Sequence, residues 1–400
     1  LYRHLHQNPE LSFKEVKTAA RLSEEVEKIG FEVTRNVGGN SFVGILKNGK
    51  GPVVMIRTDM DALPLEEKTG LPFASKVIME DAEGNKMPVM HACGHDMHMT
   101  VWLGIATVLA QKKDLWSGTL MIIAQQAEEK TGGAVAMLKD GLYSRFPVPD
   151  YALAYHVNAE MPAGTIGYRQ GAFMAGVNSV DVIIYGMGGH GAMPHRTIDP
   201  VVLASRFVLA LQTIRSREIN PLEPAVISVG SIHGGTVHNI IPDQVKLQLT
   251  VRYFSDEIYT QIMNSLERIS VGIAKSAGID ESKYPEVIPL EGLTPPVINE
   301  SNLTAKVVSS YKKILGEEQV IEVQPITVGE DFALYGRTEE NVPIAMFWLG
   351  SVDPMKYEKH IKNGLILPGL HNPEYYPHFD LTYTTGVKAM SHAVIDLYEE

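Results

Sequence analysis

One cysteine is all that the 400 residues contain. No intramolecular disulfide can form, which excludes a small secreted scaffold held by such bonds. Basic residues are also short: 35 Lys and Arg stand against 47 Asp and Glu, a net charge of −12. That balance argues against nucleic acid or an anionic membrane surface as the main partner. No apolar run approaches the ~18 residues that a membrane span needs. Stretches such as Val53-Val54-Met55-Ile56 and Leu120-Met121-Ile122-Ile123-Ala124 are of strand length only. Internal repeats and low-complexity tracts are missing too. At Leu1 there is neither an initiator methionine nor a signal-peptide pattern. A short N-terminal piece is therefore expected to be missing, and a removed targeting segment stays open. A lone cysteine fits a reducing cytoplasm, the expected compartment.

What is present reads as an ordinary globular protein. Hydrophobic residues make up 44% and charged residues 20%, and the length suffices for two domains. The first part alternates strands and helices. Residues 9–29 carry a helical period, 53–58 a buried strand ending at Asp59 and Asp61, and 98–111 a helix. Residues 119–125 form another buried strand leading to Glu128-Glu129, and Gly132-Gly133 open a helix through Asp140. Residues 152–155 form a third strand, which His156 closes. Asp59, Glu128, Glu129 and His156 would then lie just past strand carboxyl ends, where open α/β sheets bind ligands.

The middle part has a different order. Strands are expected at 180–185, 225–232, 245–253 and 284–290, with helices at 199–217 and 257–277. This β-α-β-β-α-β order predicts a four-stranded antiparallel sheet with both helices on one face, the ferredoxin-like arrangement. Beyond Pro295-Pro296 the α/β character resumes, with helices at 303–315 and 383–398 and a strand at 344–349. The expected fold class is α/β, with a mixed sheet and helices on both faces, interrupted by an inserted α+β domain. The boundaries fall at 1–172 plus 293–400 for the outer domain and 173–292 for the insert.

The cysteine sits in His91-Ala92-Cys93-Gly94-His95-Asp96-Met97-His98. Thiolate, imidazole and carboxylate are the donors that hold borderline-soft divalent metals. With Cys93 and His95, the candidate ligands are Glu129, His156 and His371, with Glu128 beside them. Adjacent glutamates at a strand end diverge, so one can coordinate while its neighbour handles a proton. A Glu-Glu pair is more often a solvated surface feature, and a lone buried cysteine more often a small hydrophobe. The convergence of these groups on strand ends favours the site.

At this point the chain resembles the metal-dependent amidohydrolases of the aminoacylase and carboxypeptidase type. The nearer likeness is the subgroup of hippurate hydrolases, N-acyl-amino-acid amidohydrolases and auxin-conjugate hydrolases. It is carried by Leu5-His6-Gln7-Asn8-Pro9-Glu10-Leu11-Ser12, Arg57-Thr58-Asp59-Met60-Asp61-Ala62-Leu63-Pro64, the Cys93 loop and Ala127-Glu128-Glu129. Gly188-Gly189-His190-Gly191, Asn239-Ile240-Ile241-Pro242, Gly329-Glu330-Asp331-Phe332 and Leu370-His371-Asn372-Pro373-Glu374 extend it nearly to the end.

The resemblance implies a catalytic domain of di-metal exopeptidase type and an inserted lid that also dimerises. It implies Cys93, His95, Glu129, His156 and His371 as metal ligands and Glu128 as general base. It further implies His190 as a catalytic histidine of the insert, Asn239 and Arg252 as substrate contacts, and Asp59 as a support behind the ligands. Two divalent ions per subunit follow, with zinc, manganese, cobalt or nickel all compatible with the donors. The expected reaction is hydrolysis of an N-acetyl, N-benzoyl or indole-acyl amino acid by a metal-bound hydroxide, with Glu128 taking the proton. A dipeptidase or aminopeptidase of the same architecture is the alternative, and a non-catalytic metal-binding protein a weaker one. The expected partners are a small-molecule substrate and further copies of the chain, as a homodimer or homotetramer through the insert. Two departures stand out, and a third position separates the subgroup from true peptidases. Gln126 replaces a common proline, Asn178 a frequent acidic residue, and Arg57 stands where related peptidases place a metal-binding histidine.

Overall fold

A computed structural model describes every residue except 82, 291 and 400. The chain divides into two compact units, one of Leu1–Phe173, Ile298–Pro325 and Asp331–Glu400, the other of Met174–Val297 and Ile326–Glu330. Among the described residues no helix is long and apolar enough to cross a membrane.

The first unit is built on an eight-stranded mixed sheet. Its order runs Glu32–Arg35, Phe42–Asn48, Gly118–Gln125, Val53–Asp59, Tyr151–Pro162, Ile344–Val352, Ile166–Tyr168, Val320–Glu322. The central strands run parallel, Val53–Asp59 lying between Gly118–Gln125 and Tyr151–Pro162. Consecutive residues such as Val54, Met55 and Ile56 are all buried, the mark of a sheet covered on both faces. Leu22 and Val26, Trp102 and Ile105, Val307 and Tyr311, and Met390 and Val394, on four helices, share one buried core with Val54, Ile56, Leu120 and Ile122 of the sheet.

Several elements differ from the sequence-based expectation. The first long helix begins at Val16, not at Pro9, because Phe13 takes a positive φ of 67° and turns the chain just before it. The helix expected from His98 begins at His95, since Gly94 at φ 77° supplies the left-handed entry. A side chain at Gly94 would also meet Val157 Cγ2 at 2.6 Å. His156 does not close its strand. The strand runs on to Pro162 because Ile344–Val352 pairs beside it, His156 opposite Trp348. It does stand two residues beyond Ala154, the last partner of Val53–Asp59 on that side, so the side chain still emerges at a strand edge. The strands at 166–168 and 320–322 and the helix Pro354–Asn363 are too short or too polar to show in the hydropathy pattern.

The second unit has the β-α-β-β-α-β order, with strands Gly176–Tyr185, Val226–His233, Gln244–Tyr253 and Glu286–Pro289 and helices Pro200–Thr213 and Asp256–Ser276. The sheet order places Gln244–Tyr253 and Gly176–Tyr185 centrally, with Val226–His233 and Glu286–Pro289 at the edges. Every neighbouring pair is antiparallel. Alternate residues Val245, Leu247, Leu249 and Val251 are buried under Phe207, Leu211, Ile262 and Leu266. The first helix stops at Thr213 and relaxes into a wider π-type turn, Ile214–Glu218, where a continuous helix to Arg217 had been expected.

Candidate metal centre

Cys93 is buried and its sulfur is reduced. His156 Nε2 lies 3.5 Å from Cys93 Sγ and His371 Nε2 lies 3.2 Å from it. His371 Nε2 is also 3.4 Å from Glu129 Oε1. His95 Nε2 is 3.9 Å from both Glu128 Oε2 and Glu129 Oε1. Cys93 with His95 and His156, Cys93 with Glu129 and His371, and His95 with Glu128 and Glu129 thus form overlapping sets whose donor atoms lie within 4.8 Å of one another. The first unit brings together Cys93, His95, Glu129, His156 and His371, with Glu128 among them.

The hydrogen bonding leaves donors turned inward. His156 Nδ1 donates to the Val157 carbonyl at 2.7 Å, so its Nε2 presents a lone pair toward Cys93. His95 Nε2 and Glu129 Oε1 are buried and, among the described residues, have no hydrogen-bond partner. Native interiors rarely leave such groups unmet. The charges agree. Burial opposes a charge on His95, but Asp59 first and then Asp61 lift its pKa to about 10. Burial, then Glu129 and Glu128, push the Cys93 thiol up. Thiol, imidazoles and carboxylates crowded this closely, with unmet donor atoms, fit divalent cations, which reverse that local field.

Behind these groups lies a layer that sequence reading saw only in Asp59. His98 Nδ1 donates to Asp59 Oδ1 at 2.7 Å, and His98 Nε2 accepts the Val157 amide at 2.9 Å. His98 thus spends both nitrogens internally; its position three residues after His95, on one helix face, was the available signal. Burial works against the Asp59 charge, yet His95, His98 and Arg57 together hold its carboxyl well below the usual range. Arg57 is itself buried and reaches Asp59 Oδ2 at 2.7 Å, Asp331 Oδ1 at 3.0 Å and Gln125 Oε1 at 3.0 Å.

Glu128 and Glu129 follow the Gly118–Gln125 strand in a tight turn. Ala127 enters it at a φ of 50°. Asp61 then accepts both following amides, Glu128 N–H at 3.1 Å and Glu129 N–H at 3.0 Å. Gly133 allows the turn to close, since a Cβ there would stand 1.7 Å from the Gln126 carbonyl oxygen. Gln126 donates its own amide to Ser41 Oγ at 3.0 Å, a bond that a proline could not make.

The remaining sequence-predicted residues belong to the second unit. His190 is exposed on a two-residue strand paired with Ile240–Ile241. Its Nδ1 accepts the Ala192 amide at 3.1 Å, which puts the ring proton on Nε2. Asn239 is exposed and its carbonyl accepts the Gly191 amide at 2.8 Å. Arg252 Nη1 donates to Thr250 Oγ1 at 2.6 Å, and its Nε donates to the Thr327 carbonyl at 3.1 Å. Asn178 uses its amide on the Tyr259 hydroxyl at 2.7 Å.

Comparison with known proteins gives the same fold a lineage. The profile of peptidase family M20/M25/M40 matches residues 55–363. The N-acetyl-L-cysteine deacetylase of Bacillus subtilis is 36% identical over 354 residues, covering 87% of this chain and 79% of the relative. Thermostable carboxypeptidase 1 of Saccharolobus solfataricus is 34% identical over 398 residues, 98% of this chain and 93% of the relative. A crystal structure from Bacillus subtilis, described as a dinuclear metal binding peptidase of the M20 family, superposes with a TM-score of 0.80. It is 28% identical and covers all of this chain and 96% of its own.

Proposed function

The chain belongs to peptidase family M20/M25/M40, and from that membership we propose that it hydrolyses the amide bond of N-acyl amino acids. The products are a carboxylic acid and a free amino acid. The observation that carries the reading is the inward-facing cluster of Cys93, His95, Glu129, His156 and His371 with Glu128 at its side. The name of the Bacillus deacetylase supports the acyl-amino-acid class, and the dinuclear description of the Bacillus structure supports two ions.

When bound, a pair of divalent ions supplies Lewis-acid polarisation of the carbonyl and a water of lowered pKa. Cys93, His95, His156, His371 and Glu129 are assigned to holding it. Glu128 takes the proton of the attacking water on its carboxylate and returns it to the amide nitrogen as the C–N bond breaks. Asp59 and Asp61 orient His95 and the glutamate turn. His190, with its proton on Nε2, is assigned to the developing oxyanion. Asn239 and the Arg252 guanidinium are assigned to the substrate carboxylate and its neighbours.

Two wider parts of the reading rest on separate observations. A homodimer or homotetramer through the second unit is supported by exposed apolar side chains there, Leu209 at 74% and Ile232 at 50%, the latter on an edge strand. A cytoplasmic setting is supported by the free buried thiol of Cys93. Peptide cleavage is the second reading, favoured by the name of the Saccharolobus relative. The deciding experiment strips the protein with a chelator and restores zinc, manganese, cobalt or nickel one at a time. Each form is assayed on N-acetyl, N-benzoyl and indole-acyl amino acids and on unblocked dipeptides. Turnover of dipeptides alone would transfer the assignment to a peptidase, and no turnover with any metal would reject both.

A further inference from the structure

Three consecutive amides in the glutamate turn are held by carboxylates from elsewhere. Asp61 takes those of Glu128 and Glu129, and Glu15 Oε1 takes that of Ala127 at 2.7 Å. Successive amides aimed one way around a residue of positive φ form a concavity that binds anions. Here the anions are the chain's own. Asp61 is further fixed by the Ser12 hydroxyl at 2.6 Å, and Glu15 by Asn40 Nδ2 at 3.4 Å. Glu15 shows no solvent exposure, and among the described residues no basic side chain pairs with it. A buried carboxylate without a cation is costly to keep. Packing alone gives no reason for it at the start of the Val16–Lys28 helix, where an apolar residue would serve. Its one strong bond goes to the residue preceding Glu128.

We infer that Glu15 is a positioning residue for the reaction, setting through Ala127 the angle at which the Glu128 and Glu129 carboxylates enter the metal cluster. The inference rests on the roles assigned above to those two glutamates. It extends the site to a residue that touches neither metal nor substrate. Losing an outer partner of a metal site costs about 10–100-fold in affinity or activity.

The test compares Glu15→Ala, Glu15→Gln and Leu22→Ala in the whole chain, the last removing a fully buried side chain from the same helix. Each protein is read for melting temperature, for affinity toward zinc and manganese by calorimetric titration of the stripped form, and for kcat and KM on an N-acetyl amino acid. Glu15→Ala is expected to lose about 10–100-fold in metal affinity and in kcat, with KM moved by less than about twofold. Glu15→Gln, which keeps an acceptor for Ala127 N–H, is expected to recover most of the loss. Leu22→Ala is expected to melt earlier yet keep both affinity and kcat. If Glu15→Ala does not fold, Glu15→Asp, one methylene short of the amide, carries the same expectation. Unchanged affinity and kcat in the alanine or aspartate variant, no recovery with glutamine, or equal losses in Leu22→Ala would each overturn the inference. The titration needs no substrate, so an enzyme inactive on N-acyl amino acids would sink the proposed substrate class while the affinities still judge Glu15.

Discussion

His371 Nε2 lies 3.2 Å from Cys93 Sγ across a separation of 278 positions. The backbone closes the same link, the His371 amide donating to the Ala92 carbonyl at 2.9 Å. His371 reaches this point at a φ of 61°, an uncommon conformation for a side-chain-bearing residue that surrounding structure must hold in place. Two loops far apart in sequence are thus tied at the backbone and aimed at one spot by their side chains.

That link makes Cys93 the natural place to test the cluster. Cys93→Ser keeps the size of the side chain but replaces a soft donor by a poor one at neutral pH. Metal affinity is expected to fall by at least ~10-fold, the lower end of what losing even an outer partner costs. Metal content after dialysis, compared with wild type, checks it. Unchanged stoichiometry and affinity would return Cys93 to the role of a small buried hydrophobe.

Glu128→Gln separates proton transfer from metal holding. The amide occupies the same space but cannot take a proton from water. The kcat is expected to drop by about 10²–10⁴-fold, with metal content retained because the proposed ligands Cys93, His95, Glu129, His156 and His371 remain. A variant turning over at the wild-type rate would remove Glu128 from its proposed role as base.

How much of this was legible beforehand differs by kind of residue. Cys93, His95, Glu128, Glu129, His156 and His371 stand in short motifs at loops or strand edges, where local pattern suffices. His98 stands in the same motif, yet its two internal bonds depend on Asp59 and on Val157, in another strand. Asp331 sits in a matched motif, but its bond to Arg57 spans 274 positions, and no local period encodes such pairing. Glu15 falls within the helical period of residues 9–29, where nothing in the local pattern sets it apart from the other charges. Tertiary packing turns it to a buried amide instead. The extension of the His156 strand to Pro162 was hidden for the same reason, since a partner strand nearly two hundred positions away holds it.

Arg57 ties two buried carboxylates behind the metal cluster together, its buried guanidinium joining Asp59 and Asp331. Arg57→His would leave two buried carboxylates short of a cation, and breaking such a pair costs about 3–5 kcal/mol. Denaturant unfolding is expected to show a loss of that size, with Arg57→Lys recovering only part because a lysine lacks the fork. A histidine variant as stable as wild type would mean that the network contributes nothing net.

His6 gives the pH dependence. Its ring is buried between Asp96 Oδ2 at 2.7 Å and Glu67 Oε1 at 3.0 Å. Burial alone would lower its pKa, but the hydrogen bonds and charges of Asp96 and Glu67 outweigh it and raise the value from 6.5 to about 10. A histidine whose folded pKa lies above its unfolded one binds its proton more tightly in the folded state. Its stabilisation is therefore complete below about pH 6.5, shrinks between there and about pH 10, and is gone above. His6→Gln, which can hydrogen-bond but not charge, should remove this slope. Comparing the two proteins by urea unfolding at successive pH values isolates it. The wild type is expected to hold its largest advantage at the acid end and to converge on the variant as the pH approaches 10. Parallel curves across the range would show that His6 is neutral in the fold, and that Asp96 and Glu67 meet an uncharged ring.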